Sequence, residues 1–430
     1  MNPSNKKRLL IVGASVRPLV FSAIKSGYRV LAFDYFSDWD TEKFLPRGNS
    51  LTRIQQYEDI LKFSGWADCD AAVISGGVEN RFQLMNEFEK RTSVLGTSSA
   101  SLNVLADVPA VFRVLKNLGA KVPESRESLD SKCKPADWLL KNSRSAGGGA
   151  VRAVCASEFV AANSSPVARD VPGVGQDSQD DGALVGDQDG EPGRYFQRRV
   201  NGENLSVALA GTVGGARLVG ISKQIVGRSE LGASEFQYCG SVEAQHLTSG
   251  ELADVHRIAN VLVESFGVRG LFGFDFIRNS DGIWPIDINP RPTASMELFE
   301  SKFDDHGRVK SLIDLHVQAC EESQALIGVS KEGLCRGFFE AKVILFNRLS
   351  NPISISPSLA GQIHAMFERS FFESDSVGCS LADLPHTGEF IQVGHPILTV
   401  RARAKLEQEV EALVQEKSAE VYSLLELSNG

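Results

Sequence analysis

Two segments, Gly273–Ile277 and Pro285–Arg291, joined through the turn residues Asn279-Ser280-Asp281-Gly282, constrain this chain more than any other part of it. Two apolar strands flanking a Ser-Asp-Gly turn predict a β-hairpin. Side chains of a strand alternate between faces, so Asp275 on the first strand and Asp287 and Asn289 on the second can share one face. Two carboxylates and an amide oxygen converging on a sheet surface form a hard-oxygen cluster, for which Mg2+ (or Mn2+) with nucleotide phosphates is the natural partner. Arg291, two residues on, adds a planar cation suited to a phosphate or carboxylate. A hairpin whose acids merely face water is the alternative. The regular alternation of Asp287, Asn289 and Arg291 with apolar or proline residues speaks against it.

At 430 residues the chain is too long for one ordinary core and should divide into two to four domains. Its apolar fraction of 42% is that of a soluble globular protein. A net charge of -9 argues against a general nucleic-acid binder, which needs a basic face, so any phosphate is expected to be met locally. No apolar run approaches the roughly 18 residues of a membrane span. The Lys6-Lys7-Arg8 start runs into an apolar stretch broken at Gly13, too short for a signal peptide, and a cytosolic protein with no membrane partner is expected. Seven cysteines at wide spacings, with no Cys-x-x-Cys, read as reduced thiols and not as a zinc site.

Residues 8–12 and 28–34 are apolar, β-branched runs separated by a helix-length segment, and a third strand at 71–74 precedes a helix from about 80 to 91. This pattern predicts a parallel α/β unit. Gly13 sits at its first strand-to-helix turn, but the further glycines of a dinucleotide fingerprint are missing, which disfavours a nicotinamide enzyme. A helix pattern over 111–118 and a strand over 138–141 follow. Residues 164–193, acidic and rich in glycine and proline, are expected to be a disordered insertion. Strands are expected over 205–226, a helix over about 250–265, and, beyond Gly333, a small β-rich domain closed by a polar helix at 404–427.

A lysine at a strand end followed by a Ser/Gly-rich turn is a phosphate device, because glycine backbone N–H groups can approach the anion closely while the ammonium adds charge. Lys141 and the loop Ser145, Gly147, Gly148, Gly149 fit that description, with Gln197 on the next ordered segment and Glu203 beyond it. The Walker spacing and the protein-kinase signatures are absent. Asn80, beside Glu79 at the end of the 71–74 strand, and Arg17 lie at the carboxyl edge of a parallel sheet, where ligands bind, although Asn80 also suits a helix N-cap. Lys223 and Gln224 follow a strand and could face the phosphates, but an exposed strand-end pair is the reading favoured over that. None of the seven histidines has a catalytic or metal-binding spacing.

These motifs together resemble the ATP-grasp ligases over most of the chain. Lys141–Gly149 looks like the Lys-Pro…Gly-Gly-Gly flap of that family, with Asn142 in place of the proline, and 196–207 looks like its hinge strand. The resemblance implies an ATP-grasp fold of class α/β (α+β in the central domains). Its parts would be a Rossmann-like N-terminal domain (1–105), a small ATP-grasp domain with the flap and insertion (106–200), a large domain with the metal site (201–330) and a small β-rich domain with the terminal helix (331–430). It implies ATP between the small and large domains, Gln197 bordering the adenine, Glu203 the ribose or metal, Asp275, Asp287 and Asn289 on Mg2+, and Arg291 and Lys141 as catalytic cations. An additional nucleotide-binding lysine of the family has only Arg113 and Lys116 as counterparts. More narrowly, residues 12–17, 33–41, 75–80 and 382–400 are similar to an uncharacterised carboligase branch, associated with tetrahydromethanopterin-linked one-carbon metabolism.

The expected activity is an ADP-forming ligation of a small-molecule carboxylate to an amine or thiol through an acyl phosphate, with Arg17 and Asn80 contacting substrate. This chemistry needs no covalent enzyme nucleophile, and no serine or cysteine sits in a nucleophile setting. A nucleotide-binding regulatory protein without turnover is the rival reading. The intact set of metal-ligand candidates opposes it.

Overall fold

The computed structural model describes residues 7–130, 132–145, 147–155, 193–244, 247–303, 308–321, 337–370 and 377–429. The chain opens as the predicted parallel unit. Strands Arg8–Gly13, Arg29–Asp34, Ser50–Arg53, Ala71–Ile74 and Val94–Leu95 form one sheet in which Arg8–Gly13 lies between Arg29–Asp34 and Ala71–Ile74. Residues 9–12 are buried on both faces of it, which is why the strand reads as an unbroken apolar run instead of alternating. Helices Arg17–Lys25 and Phe82–Arg91 follow the first and fourth of these strands, the former opened by Pro18 in its first turn. Strand order reverses between Arg8–Gly13 and Ala71–Ile74, and their carboxyl-end loops lie side by side, with Ala14 N–H donating to Gly76 O at 3.1 Å.

An antiparallel sheet of eight strands forms the body of the protein. In spatial order these are Gly282–Asn289, Gly270–Asn279, Glu203–Thr212, Gly215–Val226, Tyr238–Ala244, Phe339–Phe346, Pro396–Ala404 and Gly378–Ala382. Helix Ser249–Phe266 is started by a Thr248/Glu251 capping box and stopped by Gly267 at φ +70°. Its buried stripe Val255, Ile258, Leu262 packs on Leu205, Val207, Phe272 and Phe274. Helix Leu312–Glu321 is wedged between the two sheets, with Ile313 and Val317 in the parallel domain's core and Leu312 and Leu315 in that of the large sheet.

Residues 331–430 depart from the expected small β-rich domain. The long strands Phe339–Phe346 and Pro396–Ala404 continue the large sheet through the Gly240↔Val343 register, and only the short pair Ile353–Ser354 and Phe390–Ile391 stands apart among the described residues. An edge strand left unpaired at Tyr238–Ala244 would expose its ladder groups, and the late strands cover it. Helix Glu407–Asn429 then buries Val410, Val414, Val421 and Leu425 against them. A four-stranded sheet, Ser125–Arg126, Arg194–Arg198, Trp138–Asn142 and Arg152–Ala153, projects from the body and carries Lys141. All of the insertion expected at 164–193 except Gly193 lies outside the described residues. Six described cysteines are free thiols.

Candidate functional site

The predicted hairpin forms, and its register creates the metal-ligand cluster. Asp275 lies directly opposite Asp287, and Gly273 opposite Asn289, so the two carboxylates and the amide occupy one face. Asn289 Nδ2 lies 3.5 Å from Asp275 Oδ2. Burial pushes the Asp275 carboxyl up to about 6, and the facing Asp287 adds to the rise, while hydrogen bonds from Ser206 and Gln224 oppose it. Two carboxylates forced together with an amide oxygen beside them suit a divalent cation, which would relieve the repulsion that raises Asp275. Ser206 is directly across from Asp275 on the next strand, inside the apolar run Leu205–Ala210, where sequence gives it no distinguishing signal.

A β-bulge connects this cluster to the lysine. Register slips between Asp275 and Phe276, which pair with Asp287 and Pro285 and leave Ile286 out of the ladder. Its carbonyl instead accepts from Lys141 Nζ at 2.7 Å and from Gln197 Nε2 at 3.3 Å. Lys141 is buried, which disfavours its charge. Tyr195, Asp287 and Asp275 outweigh this and hold its pKa above that of a free lysine. The ammonium is therefore a fixed cation pinned to the strand that bears the acids.

Lysine and acids line one cleft of about 390 Å3, ample for a nucleotide. Leu139, two residues before Lys141, and Ile277, two beyond Asp275, place an apolar slot beside the charged end, closed by Val151 and Ile286. Ser145, Gly147 and Gly148 line the cleft as expected. Gly147 and Gly148 hold φ of +71° and +79°, and the loop is docked by Tyr238 N–H donating to Gly147 O at 3.0 Å. A Cβ on Gly148 would lie 2.1 Å from Phe236 O, so glycine is required there by contact as well as by backbone. Gly149 does not line the cleft, and a Cβ added there would meet nothing within 4 Å.

Arg291 lines the same cleft at its boundary with the parallel domain, where Nε donates to Glu79 Oε1 at 2.5 Å and its guanidinium lies against Gly76. Glu79 was adjacent to a predicted residue in sequence, but only the fold brings it to Arg291. Asn80 itself does not line the cleft, and its N-cap alternative also fails, because Arg81 occupies that position.

Three further expectations are corrected. Arg17 is buried away from the cleft, gripped by Glu297 at 2.7 and 3.0 Å and by Asp383 at 2.5 Å, so its guanidinium is consumed by ion pairs that tie the parallel domain to the large sheet. Glu203 faces the opposite side of its strand from Asn204 and pairs with Arg278 directly across the ladder. Strand alternation decides this, since Asn204 and Ser206 line the cleft. It likewise splits Lys223, paired with Glu411, from Gln224, which faces Asp275. Arg113 and Lys116 are exposed on helix Val108–Asn117 and do not line the cleft.

A buried lysine and glycine loop on a small sheet and paired acids on a large one line a single nucleotide-sized cleft, a set of groups suited to the phosphates of a nucleotide with a divalent cation. Residues 106–295 match the ATP-grasp domain, and the whole chain has the ATP-grasp fold. An uncharacterised protein of Methanocaldococcus jannaschii is 20% identical, over 95% of this chain and 91% of its own. The structure of N5-carboxyaminoimidazole ribonucleotide synthase from Aspergillus clavatus, complexed with ATP, superposes with a TM-score of 0.64 at 13% identity, covering 98% of this chain and 99% of that one. The biotin carboxylase domain of Hydrogenobacter thermophilus 2-oxoglutarate carboxylase, complexed with MgADP and bicarbonate, gives 0.66 at 12% identity, covering 96% and 89%. No helix among the described residues is long and apolar enough to cross a membrane.

Proposed function

We propose that this protein activates a small-molecule carboxylate as an acyl phosphate and transfers the acyl group to an amine. The observation that carries this reading is the convergence of Asp275, Asp287, Asn289 and Lys141 in one cleft, with Arg291 where the cleft meets the parallel domain. Asp275, Asp287 and Asn289 would hold Mg2+, which supplies charge neutralisation of the nucleotide's terminal phosphates. Lys141 is positioned to keep the terminal phosphate in line for attack by the substrate carboxylate. The Gly147–Gly148 loop encloses that phosphate with backbone N–H groups and excludes water, against which an acyl phosphate would be lost. Arg291, held by Glu79, would balance the charge on the acyl phosphate until the amine displaces phosphate. Association with one-carbon cofactor assembly is the setting we favour, on the motifs shared with the carboligase branch.

The test combines ATP, Mg2+ and a panel of carboxylates with hydroxylamine as a general acceptor. A carboxylate that gives ADP and a hydroxamate in equal amounts identifies the activated acid. ADP formation without hydroxamate from any carboxylate would refute the acyl-phosphate route. A thiol acceptor is distinguished in the same assay by substituting a thiol for hydroxylamine.

A further inference from the structure

The ion network that absorbs Arg17 contains more acid than the arginine can answer. Five carboxylates surround it: Asp34, Asp38, Asp40, Asp383 and Glu297. Glu297 is fully compensated, with Lys342 at 2.7 Å and Arg401 at 3.3 Å in addition to Arg17. Asp383 receives Arg17 directly, Asp40 accepts from the backbone N–H groups of Asp383 and Leu384, and Asp34 accepts from those of Val16 and Phe36. Asp38 is left over. It is 8% exposed, and its Oδ2 is buried with no hydrogen-bond partner.

A buried carboxylate oxygen without a donor is costly to the fold, and such a group in a native structure calls for an explanation. Burial pushes the Asp38 carboxyl well above the usual range, with Asp383, Asp34 and Asp40 adding to the rise. The geometry around it is equally constrained. Ser37 and Asp383 are the two described non-glycine residues with left-handed backbone, and the Ser37 carbonyl is fixed by a 2.8 Å contact to His386 Nε2. These loops stand at the carboxyl edge of the parallel sheet, where ligands of such sheets bind. Phe36 N–H donates to Ala14 O, Ala14 N–H to Gly76 O, and Gly76 lies against Arg291, so an unbroken row of loops runs from Asp38 to the end of the cleft where the acyl phosphate would form. Asp383, with 19% of its side chain exposed, is the most accessible acid of the group.

We propose that the carboxylate cluster of Asp38 with Asp34 and Asp383, at the carboxyl edge of the parallel sheet, receives a cationic group of the amine substrate, a second charged nitrogen remote from the one that is acylated. This rests on the ligase reading given above. A metal ion is the other ligand that brings positive charge. Among the described residues, however, no three His, Cys, Asp or Glu side chains are arranged to hold one, whereas an ammonium or guanidinium supplies the diverging N–H donors that Asp38 lacks. An acceptor bearing a phosphate would bring a further negative group to acids already crowded enough to hold their protons.

Isothermal titration of the full chain, saturated with Mg2+ and a non-hydrolysable ATP analogue, tests this with agmatine, spermidine and L-lysine against O-phosphoethanolamine and L-glutamate. At least one cationic amine should bind, and Asp38→Asn should weaken it by roughly tenfold or more, equivalent to about 1.4 kcal/mol. Binding of the ATP analogue should be unchanged. Melting in the absence of amine gives a second readout, because relief of carboxylate crowding should leave Asp38→Asn at least as stable as the wild type, whereas a purely structural aspartate would lower Tm on replacement. Binding of anionic amines alone, of none, or equally by Asp38→Asn would overturn the proposal, as would Mg2+ alone binding at Asp38. The hydroxamate assay reports separately on the ligase reading, since it needs no natural amine.

Discussion

Three consecutive glycines in the flap should respond to the same substitution in three different ways. Gly149→Ala adds a methyl group at ordinary backbone angles with nothing within 4 Å, and nucleotide affinity should stay within about twofold of wild type. Gly147→Ala also enters open space, but at φ +71°, where an L-residue costs roughly 1–2 kcal/mol. Gly148→Ala combines φ +79° with a Cβ placed 2.1 Å from the Phe236 carbonyl oxygen, a backbone atom that cannot rotate aside. The loop must then retreat, losing the Tyr238-to-Gly147 hydrogen bond as well, for a combined cost of roughly 2–4 kcal/mol. That energy falls on the docked flap and not on the fold, since the loop escapes it by undocking. Melting temperature should therefore change little, while affinity for a non-hydrolysable ATP analogue falls by roughly thirtyfold or more. Titration of the three variants with the analogue and Mg2+ gives the order. Equal affinities for Gly148→Ala and Gly149→Ala would refute the reasoning that the docked loop is the nucleotide-binding state.

The other predictions concern charge. Asp287→Asn should nearly abolish ADP formation even at saturating Mg2+, because one carboxylate of the pair is lost, while circular dichroism remains that of the wild type; near-normal turnover would move the metal elsewhere. Arg17→Met should act on stability, lowering it by about 3–5 kcal/mol in denaturant titration, since Glu297 and Asp383 lose a buried partner; a pure KM effect with unaltered stability would return Arg17 to the substrate site. Burial pushes the Asp34 carboxyl up to about 7 from an unfolded value of 3.8, so the native state holds a proton that the unfolded chain releases, and this residue's contribution to stability falls as pH rises from about 4 to about 7. Asp34→Asn should consequently compare more favourably with wild type at pH 8 than at pH 5 in thermal melts; a difference independent of pH would show that Asp34 is ionised throughout.

Legibility in the sequence followed the range of the interactions. The hairpin was readable because a period of two residues, broken by Ser280-Asp281, is local information, and it fixes which face Asp275, Asp287 and Asn289 share. The parallel unit was readable because strands buried on both sides are continuous apolar runs. Glu203 was misassigned by one register step: a strand known only by its motif leaves the facing undetermined, and here Asn204 and Ser206 take the cleft. The bulge at Ile286 was invisible, since it depends on how two strands slip against each other, although it is what delivers a carbonyl to Lys141. Arg17 shows the deepest limit. Its loop sits where substrates bind, but the carboxylates that capture it come from residues 280 and 366 positions away, Glu297 and Asp383.

Those long-range captures also explain how one chain can keep a highly charged interior and still leave specific charges free to work. Along the side of the large sheet that meets the parallel domain, Glu243 is matched by Lys302, Glu340 by Arg403, and Glu297 by three cations. Each matched pair is worth little in net stability, but removing one partner is expensive, so the pairs fix how the domains register against each other. With register fixed, the unmatched charges define the ligand. On the proposed reading, Lys141 and the Asp275–Asp287 pair would mark the phosphates and their cation, and Asp38 a positive group at the far end of the same edge. Because the two ends are joined by the hydrogen-bonded loops at Ala14 and Gly76, their separation is rigid. The length of the amine substrate, from reacting nitrogen to cation, should accordingly be set by this edge. Within a series of α,ω-diamines binding should therefore peak at one chain length, and a flat dependence on length would mean that the two ends do not act on one molecule.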